Sequence, residues 1–210
     1  MITVWDRAVR VFHWSLVAAF AVAWLSAEEN SELHEIAGYV VAGLIGFRVV
    51  WGFFGSHYAR FSQFLYGPGA VVRYLGAMSQ GKEPRYIGHN PAGAMMVFAL
   101  LLTLSGTAFT GWLMADETRV AWLPGMPQIV APAFADSDDD AEAGEAQTEM
   151  GGETEGGPIK EVHELLANLM LALVALHVGG VILASRRHKE NLARAMITGS
   201  KRAPEPGDIA

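Results

Sequence analysis

Four long apolar runs constrain this chain more than any other feature. They cover roughly residues 8–26, 34–55, 91–115 and 161–185. Each has the length a helix needs to cross about 30 Å of hydrocarbon at about 1.5 Å per residue. One such run alone reads equally well as a buried core helix. Four of them within 210 residues predict an all-α, integral membrane four-helix bundle of up-and-down topology. The first run contains His13 and Trp14, and no small-residue cleavage site follows it. It therefore reads as a retained span and not as a signal peptide.

Charge predicts the orientation. Arg7 and Arg10 precede or open the first run. Arg60, Arg73, Lys82 and Arg85 follow the second, and Arg186, Arg187, Lys189, Arg194, Lys201 and Arg202 follow the fourth. These segments share one side of a four-span topology, while the other side carries only Arg119 and Lys160. The positive-inside rule then puts both termini of a multi-pass protein in the cytoplasm. On this reading residues 1–195 form one transmembrane domain and 196–210 a cytoplasmic tail.

The net charge of −7 comes mostly from one block on the trans side. Residues 135–158 are rich in Asp, Glu, Gly and Ala, a composition that predicts a disordered acidic loop. Such a loop either steers a basic partner or merely solvates. On the cytoplasmic side, Gly67-Pro68-Gly69 breaks an apolar stretch, and residues 70–79 read as a short amphipathic helix on the headgroups. Asn90 followed by Pro91 reads as an N-cap with proline in the first helical position.

The chain has no cysteine. Disulfides, thiolate metal sites and covalent haem attachment are thereby excluded, and any metal must rest on His, carboxylate or Met. Seven histidines remain, and ionisable groups inside a membrane are costly and seldom idle. His163 and His177 are two heptads apart, hence on nearly one helix face and about 21 Å apart along the axis. His13 shares the cytoplasmic depth of His177, and His34 shares the trans depth of His163. One helix thus offers two imidazoles, each with a counterpart at its own depth. That pattern suits two stacked haems with paired axial imidazoles, which leave no open iron position and favour electron transfer. Gly38, Gly43, Gly46, Gly93, Gly106, Gly111, Gly179 and Gly180 either make room for flat rings or serve close helix packing. Arg7, Arg10 and Arg48 either pair with haem propionates or snorkel and set topology. His89, at the cytoplasmic interface, is a candidate for a quinone or proton site or for a competing haem ligand, or else helps set its loop.

The residues also carry a resemblance. The first span reads Trp5-Asp6-Arg7 and Arg10-Val11-Phe12-His13-Trp14. The second reads Leu33-His34-Glu35-Ile36-Ala37-Gly38, with Arg48 and Trp51 beyond. Gly67-Pro68 and Tyr74 lead to Gly88-His89-Asn90-Pro91-Ala92-Gly93, and the fourth span reads Val162-His163-Glu164 with His177 two heptads on. Over residues 3–115 and 159–195 this resembles the bacterial cytochrome b561 family, including the b-type cytochrome subunit of nickel–iron hydrogenases. The resemblance implies two non-covalent haem b groups with His13, His34, His163 and His177 as axial ligands to iron, in the pairs His13/His177 and His34/His163. It implies respiratory electron transport in the bacterial inner membrane between quinone and a redox protein, a c-type cytochrome or a hydrogenase-like partner, in contact with membrane lipid and not nucleic acid. Other readings carried forward are a superoxide–quinone oxidoreductase and a histidine-relay transporter of metal or protons. No catalytic side chain beyond the redox centres is expected.

Overall fold

A computed structural model describes residues 1–28, 31–116, 119 and 157–209. The predicted acidic loop lies outside these residues as far as position 156; its last two positions, Gly157 and Pro158, cap and open a helix. Four helices are long and apolar enough to cross a membrane: α1 (Arg7–Ser26), α2 (Ser31–Phe54), α4 (Pro91–Met114) and α5 (Pro158–Arg187). The protein is an all-α, multi-spanning membrane protein. Its outward faces carry large apolar groups such as Val17, Leu25, Phe53, Phe54, Leu102, Leu165 and Leu176, all exposed. Such a surface suits lipid, where each backbone group must be satisfied within its own helix.

Among the described residues there are two further α-helices beside the four expected spans, one at the expected amphipathic segment and one that was not expected, which brings the count to six. Helix α3 (Pro68–Ser79) begins at Pro68 behind Gly67, as the Gly-Pro-Gly break requires, and buries Val71 and Tyr74. Helix α6 (Leu192–Thr198) starts where the Asn191 side chain accepts from Arg194 N, and it ends at Gly199 with φ +83°. Asn90 caps α4 by accepting from Gly93 N at 2.7 Å, with Pro91 in the first turn. Asp6 caps α1 through Val9 N at 2.8 Å.

The spans pack in the order α1, α2, α4, α5. A Cβ on Gly106 would lie 3.0 Å from Leu166 and one on Gly111 3.1 Å from His163, so α4 and α5 run antiparallel at close range. In these two glycines the packing role is realised. Val41 and Ile45 of α2, Leu104 of α4 and Met170 of α5 form the mid-bundle core, with Leu16, Phe20, Leu100 and Val174 against it.

The end of the bundle that carries the chain termini is covered by a small folded cap. Strands β1 (Ile2–Thr3) and β2 (Ser200–Lys201) pair antiparallel, with Ile2 opposite Lys201 and Thr3 opposite Ser200. Val4 N and Trp5 N both donate to Gly199 O, at 2.9 and 3.1 Å. Val4, Trp5, Ile87 and Ala195 form a second core. Buried Arg85 donates to Glu190 at 2.9 Å and to Asp208, while Lys201 Nζ donates to the carbonyls of Tyr86 and Ile87. The segment read from sequence as a tail is therefore packed: the boundary drawn after residue 195 falls inside α6, and Ile209 still bonds to Arg85 and Ile87. An isolated run of mixed polarity looks like a tail because its partners lie more than 100 residues away.

Candidate cofactor site

Helices α2 and α5 present matching ladders. On α2, His34, Val41 and Arg48 stand seven residues apart, and on α5 so do His163, Met170 and His177. Seven residues return a helix to nearly the same face about 10 Å further on. Val41 and Met170 share the mid-bundle core and His34 faces His163, which sets the two ladders in register with the helices parallel. The first rung is His34 facing His163, with ring centres 6.1 Å apart at 75°. The middle rung is apolar. The third brings Arg48 to the depth of His177, whose imidazole partner comes from α1: His13 lies 6.5 Å from it between ring centres.

These spacings have a chemical meaning. A metal held by two imidazoles on opposite sides needs about 2 Å for each bond and about 1 Å from each nitrogen to its ring centre, hence roughly 6 Å between rings. The separations of 6.1 and 6.5 Å are compatible with one metal held between the two rings of each pair.

At the far end, away from the termini, both rings are fixed by their second nitrogen. His34 Nδ1 lies 2.8 Å from Ala23 O, and a carbonyl only accepts, so Nδ1 carries the proton and Nε2 keeps its lone pair. His163 Nδ1 lies 3.0 Å from Thr110 Oγ1, whose hydroxyl donates back to Gly106 O at 2.9 Å. His163 Nδ1–H is then the donor, and its Nε2 is likewise free to ligate. Such a partner orients an imidazole and raises its basicity. Thr110 and the Ala23 carbonyl were not singled out in the sequence. A threonine one turn from the end of an apolar span at the depth of His163 is the only signal for the first, and a backbone carbonyl leaves none.

At the capped end the pattern is reversed. Among the described residues the buried side-chain nitrogens without a hydrogen bond are His13 Nδ1, Arg48 Nη1 and His89 Nδ1. Arg48 is only 4% exposed. It donates from Nη2 to Ala59 O at 3.1 Å and lies over the Phe61 ring at 4.7 Å. His89 packs between Phe64 at 4.3 Å and Trp5 at 4.8 Å. Burial, with the cations of Arg48 and Lys201 close by, pushes its pKa down to about 3, so its imidazole is neutral.

The remaining candidates separate cleanly. Arg7 is exposed. Arg10 donates from Nη1 to Ile197 O at 2.5 Å and from Nε to Asp6 O at 3.4 Å, so it is engaged with the last turn of α6. Of the three arginines only Arg48 is buried, at the depth of His177. Gly38, one turn beyond His34, and Gly180, one turn beyond His177, have open space where a side chain would stand. Gly43, Gly46 and Gly179 are equally open, whereas Gly93 meets only its own cap residue, Asn90.

Comparison with curated proteins and with solved structures gives no match. A family model described as prokaryotic cytochrome b561 matches residues 4–199 of the 210. That match takes in all four spans, both histidine pairs and α6, stopping short of both strands of the cap, and the chain belongs to the prokaryotic cytochrome b561 family.

Proposed function

We propose that the protein carries electrons across the membrane through two haem b groups, one held by His34 and His163 and the other by His13 and His177. Membership of the family makes it a membrane electron-transfer protein of the cytochrome b561 type. The observation that carries the finer reading is the pair of ring separations, 6.1 and 6.5 Å, each fitting one metal between two imidazoles. When bound, haem supplies a one-electron couple, and with both axial positions filled it favours electron transfer over oxygen chemistry.

The chain's own residues perform the rest. Ala23 O and Thr110 Oγ1 hold the far-end imidazoles in the ligating tautomer. Val41, Ile45, Leu104 and Met170 exclude water between the two pairs. Arg48 supplies a fixed cation at the capped end. Positive-inside asymmetry puts the capped end in the cytoplasm. The substrates of this reading are quinone and a redox protein, a c-type cytochrome or a hydrogenase-like partner, between which haem held by the two histidine pairs would supply the electron-carrying couple.

The apolar middle rung bears on the alternatives. A histidine relay for protons needs a continuous polar path, and here about 21 Å of helix separates the pairs with packed apolar side chains between. Among the described residues no three His, Asp or Glu side chains gather around a point where an ion could sit. Two-fold imidazole sites are what a porphyrin-held iron requires and what a transported ion does not.

The test is the haem-to-protein ratio of detergent-purified protein by pyridine haemochrome, with reduced-minus-oxidised spectra. Two low-spin b-type haems per chain are expected. A folded, colourless protein would overturn the reading. A wild type that reduces added quinone with superoxide would select the superoxide–quinone oxidoreductase among the haem-bearing readings.

A further inference from the structure

The capped end holds an unmet demand for negative charge. Arg48 is a buried cation whose Nη1 has no acceptor. A buried charge is expensive unless it is paired and hydrogen-bonded. The charge of Asp6 acts on Arg48 from a distance, but its carboxylate accepts its hydrogen bonds elsewhere, from Val9 N, from Trp51 Nε1 at 3.2 Å and from Ser56 Oγ. Arg48 forms no ion pair among the described residues. A second orphan is reached through a continuous aromatic wall. Arg48 lies on Phe61, Phe61 is 5.8 Å from Phe64, and Phe64 is 4.3 Å from His89, whose Nδ1 is buried and unpartnered. The cation of Lys201 is satisfied by two carbonyls and by Glu190 at 3.8 Å, so it does not compete.

We propose that Arg48 and His89 together form a carboxylate site, and that its occupant is a propionate of the haem held by His13 and His177. The proposal rests on the haem reading above. It gives Arg48 the role of a charge partner at the rung where the ladder of α2 offers no imidazole, and it makes His89 a group that contacts haem. The cavity that His89 borders, lined also by His57, Tyr58, Gln63, Tyr66 and Tyr86 among others, has a volume of about 20 Å³. That is room for about one water, and a quinone ring does not fit it.

The test is redox-difference infrared spectroscopy on the intact haem-loaded protein, with haem carboxylates labelled by ¹³C. The wild type is first checked for two haems per chain; fewer than two would count against the haem reading itself and not against this site. With two present, carboxylate bands that move on labelling should shift in Arg48→Lys and in His89→Gln. The midpoint potential of one haem should fall in Arg48→Gln while that of the other stays. Retention of the far-end haem in each variant shows that the chain is folded, and selective loss of the capped-end haem counts as support. Labelled bands and potentials that match wild type in all three variants would overturn the proposal. So would bands that stay fixed while the affinity for added quinone falls, since that outcome gives His89 to quinone. Where Arg48→Gln loses both haems, the charge-conserving Arg48→Lys decides by its bands.

Discussion

The two histidine pairs sit in the same bundle, at nearly equal ring separations, yet their surroundings are opposites. At the far end both Nδ1 atoms are bonded, to Ala23 O and Thr110 Oγ1, and no arginine is buried beside them. At the capped end His13 Nδ1 is unbonded, Arg48 is buried nearby, and a folded lid of strands and salt bridges lies over the site. Hydrogen-bonded imidazoles are more basic ligands and favour ferric iron. A buried cation favours the reduced, less positive centre. Both differences push one way, so the capped-end haem should have the higher potential, and electrons should run downhill from the far end toward the cap.

The largest effects come from removing ligands. His34→Ala or His163→Ala should lose one haem and leave the higher-potential one. His13→Ala or His177→Ala should do the reverse, measured by haemochrome ratio and redox titration. If each variant lost both haems, the pairs would not be independent and the comparison would break.

Next is the charge on Arg48. At about 8 Å and an effective dielectric of about 20, one charge is worth about 2 kcal/mol, or about 90 mV for one electron. Arg48→Gln should therefore lower the capped-end potential by up to that amount and narrow the gap between the haems. A potentiometric titration in which the far-end haem moved instead would assign the arginine to the wrong pair.

Thr110→Val keeps shape and removes the acceptor for His163 Nδ1–H. A net hydrogen bond is worth about 1 kcal/mol, so the far-end potential should rise by about 40 mV for one electron. An unmoved potential would mean that this hydroxyl does not tune the iron.

The smallest effect concerns the lid. Although burial pulls Glu190 the other way, hydrogen bonds from Arg85 and Arg202 N hold its carboxyl below the ordinary range. Asp208 is lowered by its bond from Glu205 N and by Arg85. Carboxylates lowered on folding lend stability that is complete above their ordinary pKa of about 4 and fades as pH falls through the lower folded value. The capped-end haem spectrum should be constant from pH 7 to 5 and change below about 4, before the far-end spectrum does. Glu190→Gln should move that onset upward.

Several parts of this were legible in the chain itself. The spans, the α3 helix and the Asn90-Pro91 start depend on apolar length and on contacts within one helical turn, so local sequence specifies them. The depths of the four histidines follow from the same arithmetic, because a helix advances by a fixed rise. Arg10 shows the limit. It looked as able as Arg48 to meet a propionate, but its acceptor, Ile197 O, comes from 187 residues along the chain. The glycines divide in the same way, Gly106 and Gly111 packing on α5 while Gly38 and Gly180 face open space.

By itself, then, the sequence determined that four helices cross a membrane and at what depth each imidazole lies, since periodicity and hydrophobic length are local quantities. Only the tertiary structure decided that the last residues form a lid, that Thr110 and Ala23 orient two imidazoles, and that Arg48 Nη1 and His89 Nδ1 are buried without a hydrogen bond. Those outcomes depend on backbone carbonyls and on helix rotation. Neither has a signature in residue type, and both are fixed only when distant segments compete for the same buried hydrogen bonds.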